Sequence, residues 1–183
     1  MVGIVIVSHS RALAEALVNL VKQVANEEVP MAVAAGTGDD RQEFGTDAME
    51  IMEAIQEVDN PDGVLVLMDL GSAILSAEMA LEFLEPDVQE RIRFCAAPLV
   101  EGAIAAGVQA GLGSDLETVC NEAKSALLPK AEQLGEIQQE APAAGAGTES
   151  EDGRPWEEQV VPLTNPHGPV SYTHLTLPTN REV

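Results

Sequence analysis

The sequence predicts an α/β fold, an open and mainly parallel four-stranded sheet in the order 2-1-3-4 with helices on both faces. Three observations predict it. Continuous aliphatic runs at 2–7 (VGIVIV) and 64–68 (VLVLM) read as strands buried on both faces. Strand-like and helix-like segments alternate four times, the pattern of a parallel sheet with right-handed crossovers. Hydrophobic residues make up 45% of the 183-residue chain but aromatics only 3%, so the core must be aliphatic, which suits close helix-on-sheet packing.

The elements follow in order. After the first strand, Leu13, Leu17, Leu20, Val21 and Val24 recur at helical spacing, with Ser10 placed as the N-cap. PMAVAA (30–35) is a second, short strand, and GTGDDRQEFG after it is a loop of turn formers. Ala48, Ile51, Met52 and Ile55 mark the second helix, closed by DNPDG (59–63). VLVLM is the clearest strand; DLGS (69–72) turns it into a helix carrying Ile74, Ala77, Leu81 and Leu84. RIRFCAA (91–97) is a weaker fourth strand, and PLVEGAIAAGVQAG (98–111) a small-residue helix that permits close approach of a neighbour. Leu116, Val119, Cys120, Ala123 and Leu127 define a last helix, with Ser114 as its expected cap. Residues 1–135 thus form one domain. From 136 to 157 the chain is rich in Ala, Gly, Pro and acid and reads as a flexible linker.

A formal charge of -22 disfavours duplex nucleic acid and anionic membrane surfaces as partners. Cys95 and Cys120 read as two reduced core thiols. No apolar run approaches the roughly 18–20 residues of a membrane span, and no basic region precedes the first apolar run. Together these features favour the cytoplasm.

Ligand sites of open parallel sheets lie beyond the carboxyl ends of the strands, where strand order reverses. In the order 2-1-3-4, His9 and Asp69 lie just past neighbouring strands and meet at that crevice. An Asp accepting a hydrogen bond from one ring nitrogen fixes the tautomer and leaves the other lone pair directed outward as a nucleophile. Helix N-termini near Ser10 and at Gly71-Ser72-Ala73 offer N–H groups to an anion such as phosphate, and Gly36-Thr37-Gly38 close the rim. Arg11, one turn on, adds positive charge. A corner histidine with no task, and an Asp69 that only starts its helix, remain the plain alternative on residue types alone. Metal binding lacks ligands beyond His9 and Asp69. No G-x-S-x-G, Walker A or G-x-G-x-x-G motif supports a serine hydrolase or direct nucleotide binding. No cofactor is called for.

IVIVSHSRALAEAL, AAGTGDD, GVLVLMDLGSAILSAEMALEFL and APLVEGAIAAG, spread over residues 1–134, together resemble the phosphotransfer subunits of the bacterial dihydroxyacetone kinases. The first domain of that family is similar to enzyme IIA of the mannose class of the phosphoenolpyruvate:sugar phosphotransferase system (PTS). MDLGSA separates the chain from the sugar transporters, whose matching loop carries a Gly-Gly-Thr/Ser-Pro pattern. The resemblance implies a mannose-class enzyme IIA-like fold and a transiently phosphorylated His9 beside Asp69, with Gly36–Gly38 and Gly71-Ser72 lining the site. It implies a phosphotransferase that takes its phosphoryl group from the carrier HPr. The acceptor is ADP on the nucleotide-binding subunit (DhaL); a separate subunit (DhaK) binds dihydroxyacetone. It also implies a homodimer. A non-catalytic regulatory module of the same fold and a mannose-class sugar enzyme IIA are the competing readings.

The tail departs from the family. EQVVPLTNPHGP (158–169) resembles the truncated start of an HPr-like domain, which in the family runs on as Gly-Leu-His-x-Arg-Pro. Here Gly168 is followed by Pro169 and Val170, so the second active histidine is missing, and His167 does not match it. VSYTHLTLPTNREV (170–183), with His174, has no counterpart and reads as non-native, disordered sequence.

Overall fold

Four parallel strands, β1 (Gly3–Ser8), β2 (Met31–Ala35), β3 (Val64–Met68) and β4 (Ile92–Cys95), form one sheet in the order β2-β1-β3-β4 in the computed structural model, which describes residues 1–136. The linker, the HPr-like start at 158–169 and the tail at 170–183 lie outside the described residues, Glu136 apart. β1 is central and buried along its whole length, as an uninterrupted aliphatic run requires. Its register pairs Ser8 with Ala35 and Val7 with Met68. The chain therefore leaves three adjacent strands at one edge, with His9, Gly36 and Asp69 emerging side by side.

Two aliphatic layers hold the sheet. On one face, Val2, Ile4, Ile6, Leu65 and Leu67 pack against α1 (Arg11–Val24), α5 (Leu99–Gly111) and α6 (Leu116–Ser125). On the other, Val5, Val7, Val64 and Val66 pack against α2 (Ala48–Val58) and α3 (Gly71–Glu82). The period-two alternation along β1 and β3 thus feeds both layers.

Leu127, expected on the last helix, lies beyond the end of α6 and is exposed, and the helix faces of α1 and α3 also differ from the sequence expectation. In α1 the buried stripe is Ala14, Leu17, Val18 and Val21, while Leu13, Leu20 and Val24 are exposed. In α3 the buried residues are Ala73, Ala77 and Ala80, and Ile74 points to solvent with Leu75 and Met79. Close packing explains α3: an alanine face brings the helix axis nearer the sheet than branched side chains allow. The cap of α6 is Asp115, whose carboxylate accepts from the Thr118 N–H at 2.8 Å; Ser114 instead donates its hydroxyl to Gln109 Oε1. Two short helices, α4 (Pro86–Gln89) and α7 (Leu128–Leu134), were too brief to show a period in the sequence. Among the described residues no helix is long and apolar enough to cross a membrane.

Candidate active site

His9 follows the last residue of β1, and Asp69 follows the last residue of β3. The Asp69 carboxylate grips the histidine twice. Oδ2 accepts from the His9 backbone N–H at 2.9 Å, and Oδ1 lies 2.8 Å from ring Nδ1. The Ser8 hydroxyl donates to Oδ2 at 2.8 Å, and the Leu70 N–H to Oδ1 at 2.6 Å. Burial by itself raises the Asp69 carboxyl, but donation from the His9 backbone and ring, Ser8 and Leu70 outweighs it. The net effect holds Asp69 below the ordinary carboxylate value and keeps it ionised. An ionised Asp69 accepts only, so Nδ1 carries the proton and Nε2 the lone pair.

That lone pair does not face outward. Ser72, in the first turn of α3, sets its hydroxyl 2.5 Å from Nε2 and donates to it. Phe44 stacks on the imidazole face, with ring centroids 4.8 Å apart and planes inclined by 28°. The His9 side chain is only 7% exposed, whereas Phe44 is 74% exposed. The expectation of an outward lone pair is thus corrected: one hydroxyl and one aromatic ring from the surface cover the imidazole.

The other anticipated residues take different parts. Ser10 caps α1, its hydroxyl oxygen accepting from the Leu13 N–H at 3.3 Å. Gly71 opens α3, which has no side-chain cap; the Ala73 N–H already donates to Leu70 O at 2.9 Å, which leaves the Gly71 and Ser72 N–H groups available to an anion. The Gly36 and Thr37 N–H groups are already engaged, by Ser8 O at 3.3 Å and Glu43 O at 2.8 Å. These residues, with Gly38, shape the loop between β2 and α2, and the Gly36 and Thr37 backbone N–H groups are not free as rim donors. A Cβ on Gly36 would lie 2.1 Å from the Arg41 carbonyl oxygen, and its φ of +76° favours glycine. The Arg11 guanidinium is already engaged by carboxylates. It pairs with Glu15 and Glu50, both at 2.7 Å.

Several residues at the site were not singled out from the sequence. Ser8 left a signal, since it is the one polar residue closing an aliphatic strand. Phe44 left one too, being one of three phenylalanines and set in a loop of turn formers. Glu50 and Arg41 left none, because their pairing depends on tertiary contact. Glu50 is buried, with Arg11 on one oxygen. Its Oε2 lies 3.2 Å from Arg41 Nη1, an ion pair without hydrogen-bond alignment, and so receives no hydrogen bond. Burial raises the Glu50 carboxyl, with both arginines pulling the other way. Arg41 also donates to Asp47 at 3.0 Å.

A cavity of about 790 Å³ lies at the opposite end of the strands, among residues such as Met1, Asp62 and Asp115. A second, of about 530 Å³, adjoins Asp69 and is lined by Met68, Leu70, Ile74 and Phe94. Neither of these cavities is lined by His9; the polar groups converge instead on its covered imidazole, where Asp69 and Ser72 meet the two ring nitrogens. Among the described residues no group of three or more His, Cys, Asp or Glu is placed to hold a metal ion.

Residues 3–120 match the family described as the PTS system fructose IIA component. A Listeria innocua protein, the phosphoryl donor subunit DhaM of PEP-dependent dihydroxyacetone kinase 2, is 38% identical over 122 residues. That match covers 67% of this chain and 96% of the relative. The chain belongs to the DhaM family of PTS IIA components. The Escherichia coli K12 DhaM subunit is 50% identical over 136 residues, covering 74% of this chain and 29% of its own length. The Pantoea ananatis DhaM is 46% identical over 169 residues, covering 92% of this chain and 35% of its own. The chain therefore spans about a third of the longer DhaM relatives. A crystal structure titled as the unknown function protein EF1359 superposes with a TM-score of 0.62 at 38% identity, covering 68% of this chain and 95% of that one. The mannose-class IIA architecture anticipated from the DhaM-like motifs is the one observed.

Proposed function

We propose that this chain is a phosphohistidine relay. Nε2 of His9 accepts a phosphoryl group from phospho-HPr and passes it to ADP held on the nucleotide-binding subunit of a dihydroxyacetone kinase, supporting phosphorylation of dihydroxyacetone on a third subunit. The single observation that carries the reading is the His9–Asp69–Ser72 arrangement. One ring nitrogen is fixed by an ionised carboxylate and the other bears a lone pair opposite a hydroxyl at a helix N-terminus. The relatives' names, phosphoryl donor subunits of dihydroxyacetone kinases, support the same reading.

The transfer follows from these groups. As the phosphoryl group arrives, the Ser72 hydroxyl swings off Nε2. The lone pair forms the new N–P bond while the N–P bond of the donor's phosphohistidine breaks, and the donor leaves as neutral imidazole. The proton stays on Nδ1, so the ring becomes cationic, and Asp69 balances that charge in the ring plane. The released Ser72 hydroxyl and the first N–H groups of α3 then face the phosphoryl oxygens. Passage to ADP reverses the sequence: the N–P bond breaks and the terminal phosphoanhydride of ATP forms.

The site residues of this reading are His9 as nucleophile and Asp69 as the group that orients and stabilises it. Ser72 and Gly71 meet the incoming phosphate, and Ser10 caps α1 beside it. Arg11, paired with Glu15 and Glu50, is left to the partner surface, and the Gly36–Gly38 loop supports these residues. The reading includes a homodimer, supported by the apolar side chains of Leu75, Met79 and Phe83 left exposed near one another along and just after α3. Incubation with labelled phosphoenolpyruvate, the general phosphotransferase enzyme and HPr is expected to place one acid-labile phosphate on the chain. His9→Ala should abolish it. Labelling that survives that substitution would overturn the assignment.

A further inference from the structure

We propose that Phe44 is a positioning residue for phosphoryl transfer, its ring face fixing the imidazole plane of His9 and stabilising the positive charge that the imidazole carries once phosphorylated. The inference rests on the relay reading above. Three observations lead to it. First, Phe44 is not core: it is 74% exposed, yet it stacks on the one histidine that meets Asp69. Burial of its own surface therefore does not account for its place.

Second, the loop that carries it is fastened to hold it there. Thr37 and Glu43 exchange two backbone hydrogen bonds, of 2.8 and 3.1 Å. Gly45 donates its N–H to the His9 carbonyl at 3.1 Å, immediately after Phe44. Thr46 and Ser76 share a hydroxyl hydrogen bond of 2.8 Å that ties the loop to α3. Arg41, with a left-handed φ of 58°, anchors the middle of the loop on Asp47 and Glu50. A left-handed non-glycine residue is an uncommon conformation, accompanied here by two ion pairs that Arg41 Nη1 makes with Asp47 and Glu50.

Third, the remaining positions around the imidazole are taken by groups of other kinds. Asp69 and Ser72 lie at its edge, in the directions of its two nitrogens. With the proton kept on Nδ1 and the N–P bond formed at Nε2, the ring is a cation and its charge is spread over the whole π system. An aromatic face within about 6 Å attracts such a cation through its quadrupole. The neutral imidazole gains much less from the same contact. Phe44 thus favours the phosphorylated state over the free one, and acts through His9 without touching the phosphoryl group.

The experiment measures the phosphoryl equilibrium between HPr and the full chain, with label supplied from phosphoenolpyruvate, in wild type, Phe44→Leu and Phe44→Tyr. Leucine keeps the apolar bulk and loses the π face; tyrosine keeps both. The expected shift for Phe44→Leu is about two- to fivefold toward phospho-HPr, the size of an exposed cation–π contact. Phe44→Tyr should restore the wild-type constant. A purely steric cover would change forward and reverse rates alike and leave the constant unmoved. An unchanged constant in Phe44→Leu, or an equal shift in Phe44→Tyr, would overturn the inference while the relay stands. A wild-type chain that takes no label would remove the relay and this inference together.

Discussion

Asp69 binds His9 through two different parts of the same residue, the ring Nδ1 at 2.8 Å and the backbone N–H at 2.9 Å. The second bond fixes the chain position, so the first can set the ring angle. Asp69→Asn keeps an oxygen for the backbone but loses the negative charge that balances the cationic ring. Phosphorylation of His9 is expected to slow by about 10²- to 10⁴-fold, the range seen when an orienting carboxylate is neutralised or a positioned acid–base group is lost. Rapid-quench labelling from phospho-HPr measures it. A loss below tenfold would mean that the carboxylate only builds the corner.

The same carboxylate links stability to pH. Its native value lies below the ordinary 3.8, despite burial, because the His9, Ser8 and Leu70 donors favour the ionised form. The unfolded chain therefore binds a proton at Asp69 before the native chain does. The stabilisation is complete above 3.8 and is lost as pH falls from there through the native value. Urea midpoints taken downward from pH 5 should fall more steeply for the wild type than for Asp69→Asn.

Ser72 gives a separate test of which nitrogen reacts. Its hydroxyl donates to Nε2 at rest, and in the proposed relay it turns to a phosphoryl oxygen afterwards. Ser72→Ala removes that donor from a half-exposed first helical turn without opening a core cavity. The expected cost is about 10- to 100-fold in transfer rate, the value of a hydrogen bond to a charged group, with the melting temperature nearly unchanged. A mutant as fast as wild type would place the reactive lone pair elsewhere.

Particular residues show why the sheet was legible and the site only partly so. VGIVIV and VLVLM declare buried strands because every position is aliphatic, and strand order then puts His9 and Asp69 at one edge. Both are main-chain consequences of local pattern. Phe44 and Ser72 cover the ring through loop and helix geometry that no periodicity encodes, so the imidazole looked open in the sequence. α3 misled in part for a related reason: Ala77 is buried as its spacing predicts, but Ala73 and Ala80, being weakly hydrophobic, hide the rest of that face, while Ile74 advertises an exposed one.

The two cysteines predict an alkaline effect. Cys95 and Cys120 are free and buried, and Cys95 sets its thiol 3.6 Å from the Cys120 carbonyl oxygen. Burial, with the neighbouring Cys120 thiol, pushes the Cys95 thiol up to about 12 from an ordinary 9.0. Between those values the unfolded chain has released the proton that the native chain keeps, so native stability falls as pH rises from 9 toward 12. Urea midpoints should decline over that window more in wild type than in Cys95→Ala. The thiolate is the reactive form, so alkylation at pH 8 should wait on unfolding.

Gly107 and Gly36 predict opposite kinds of failure from the same one-carbon change. Gly107 lies inside α5 where it crosses α1, and a Cβ there would sit 2.3 Å from Val21 Cγ1 and 3.3 Å from Ala25 Cβ. The helices must part to admit it, at about 1–3 kcal/mol, the usual cost of overpacking. Gly107→Ala should therefore lower the melting temperature by several degrees. Because α5 packs on the sheet face away from α2 and α3, transfer measured well below that temperature should be little altered. Gly36→Ala strains a left-handed residue against the Arg41 carbonyl, in the loop that holds Phe44 on His9. The loop lies outside both aliphatic layers, so the melting temperature should move less than the rate of phosphoryl transfer. Measuring both quantities in both variants separates scaffold from site, and a Gly36→Ala chain that transfers phosphate at the wild-type rate would show that the loop's shape does not matter to His9.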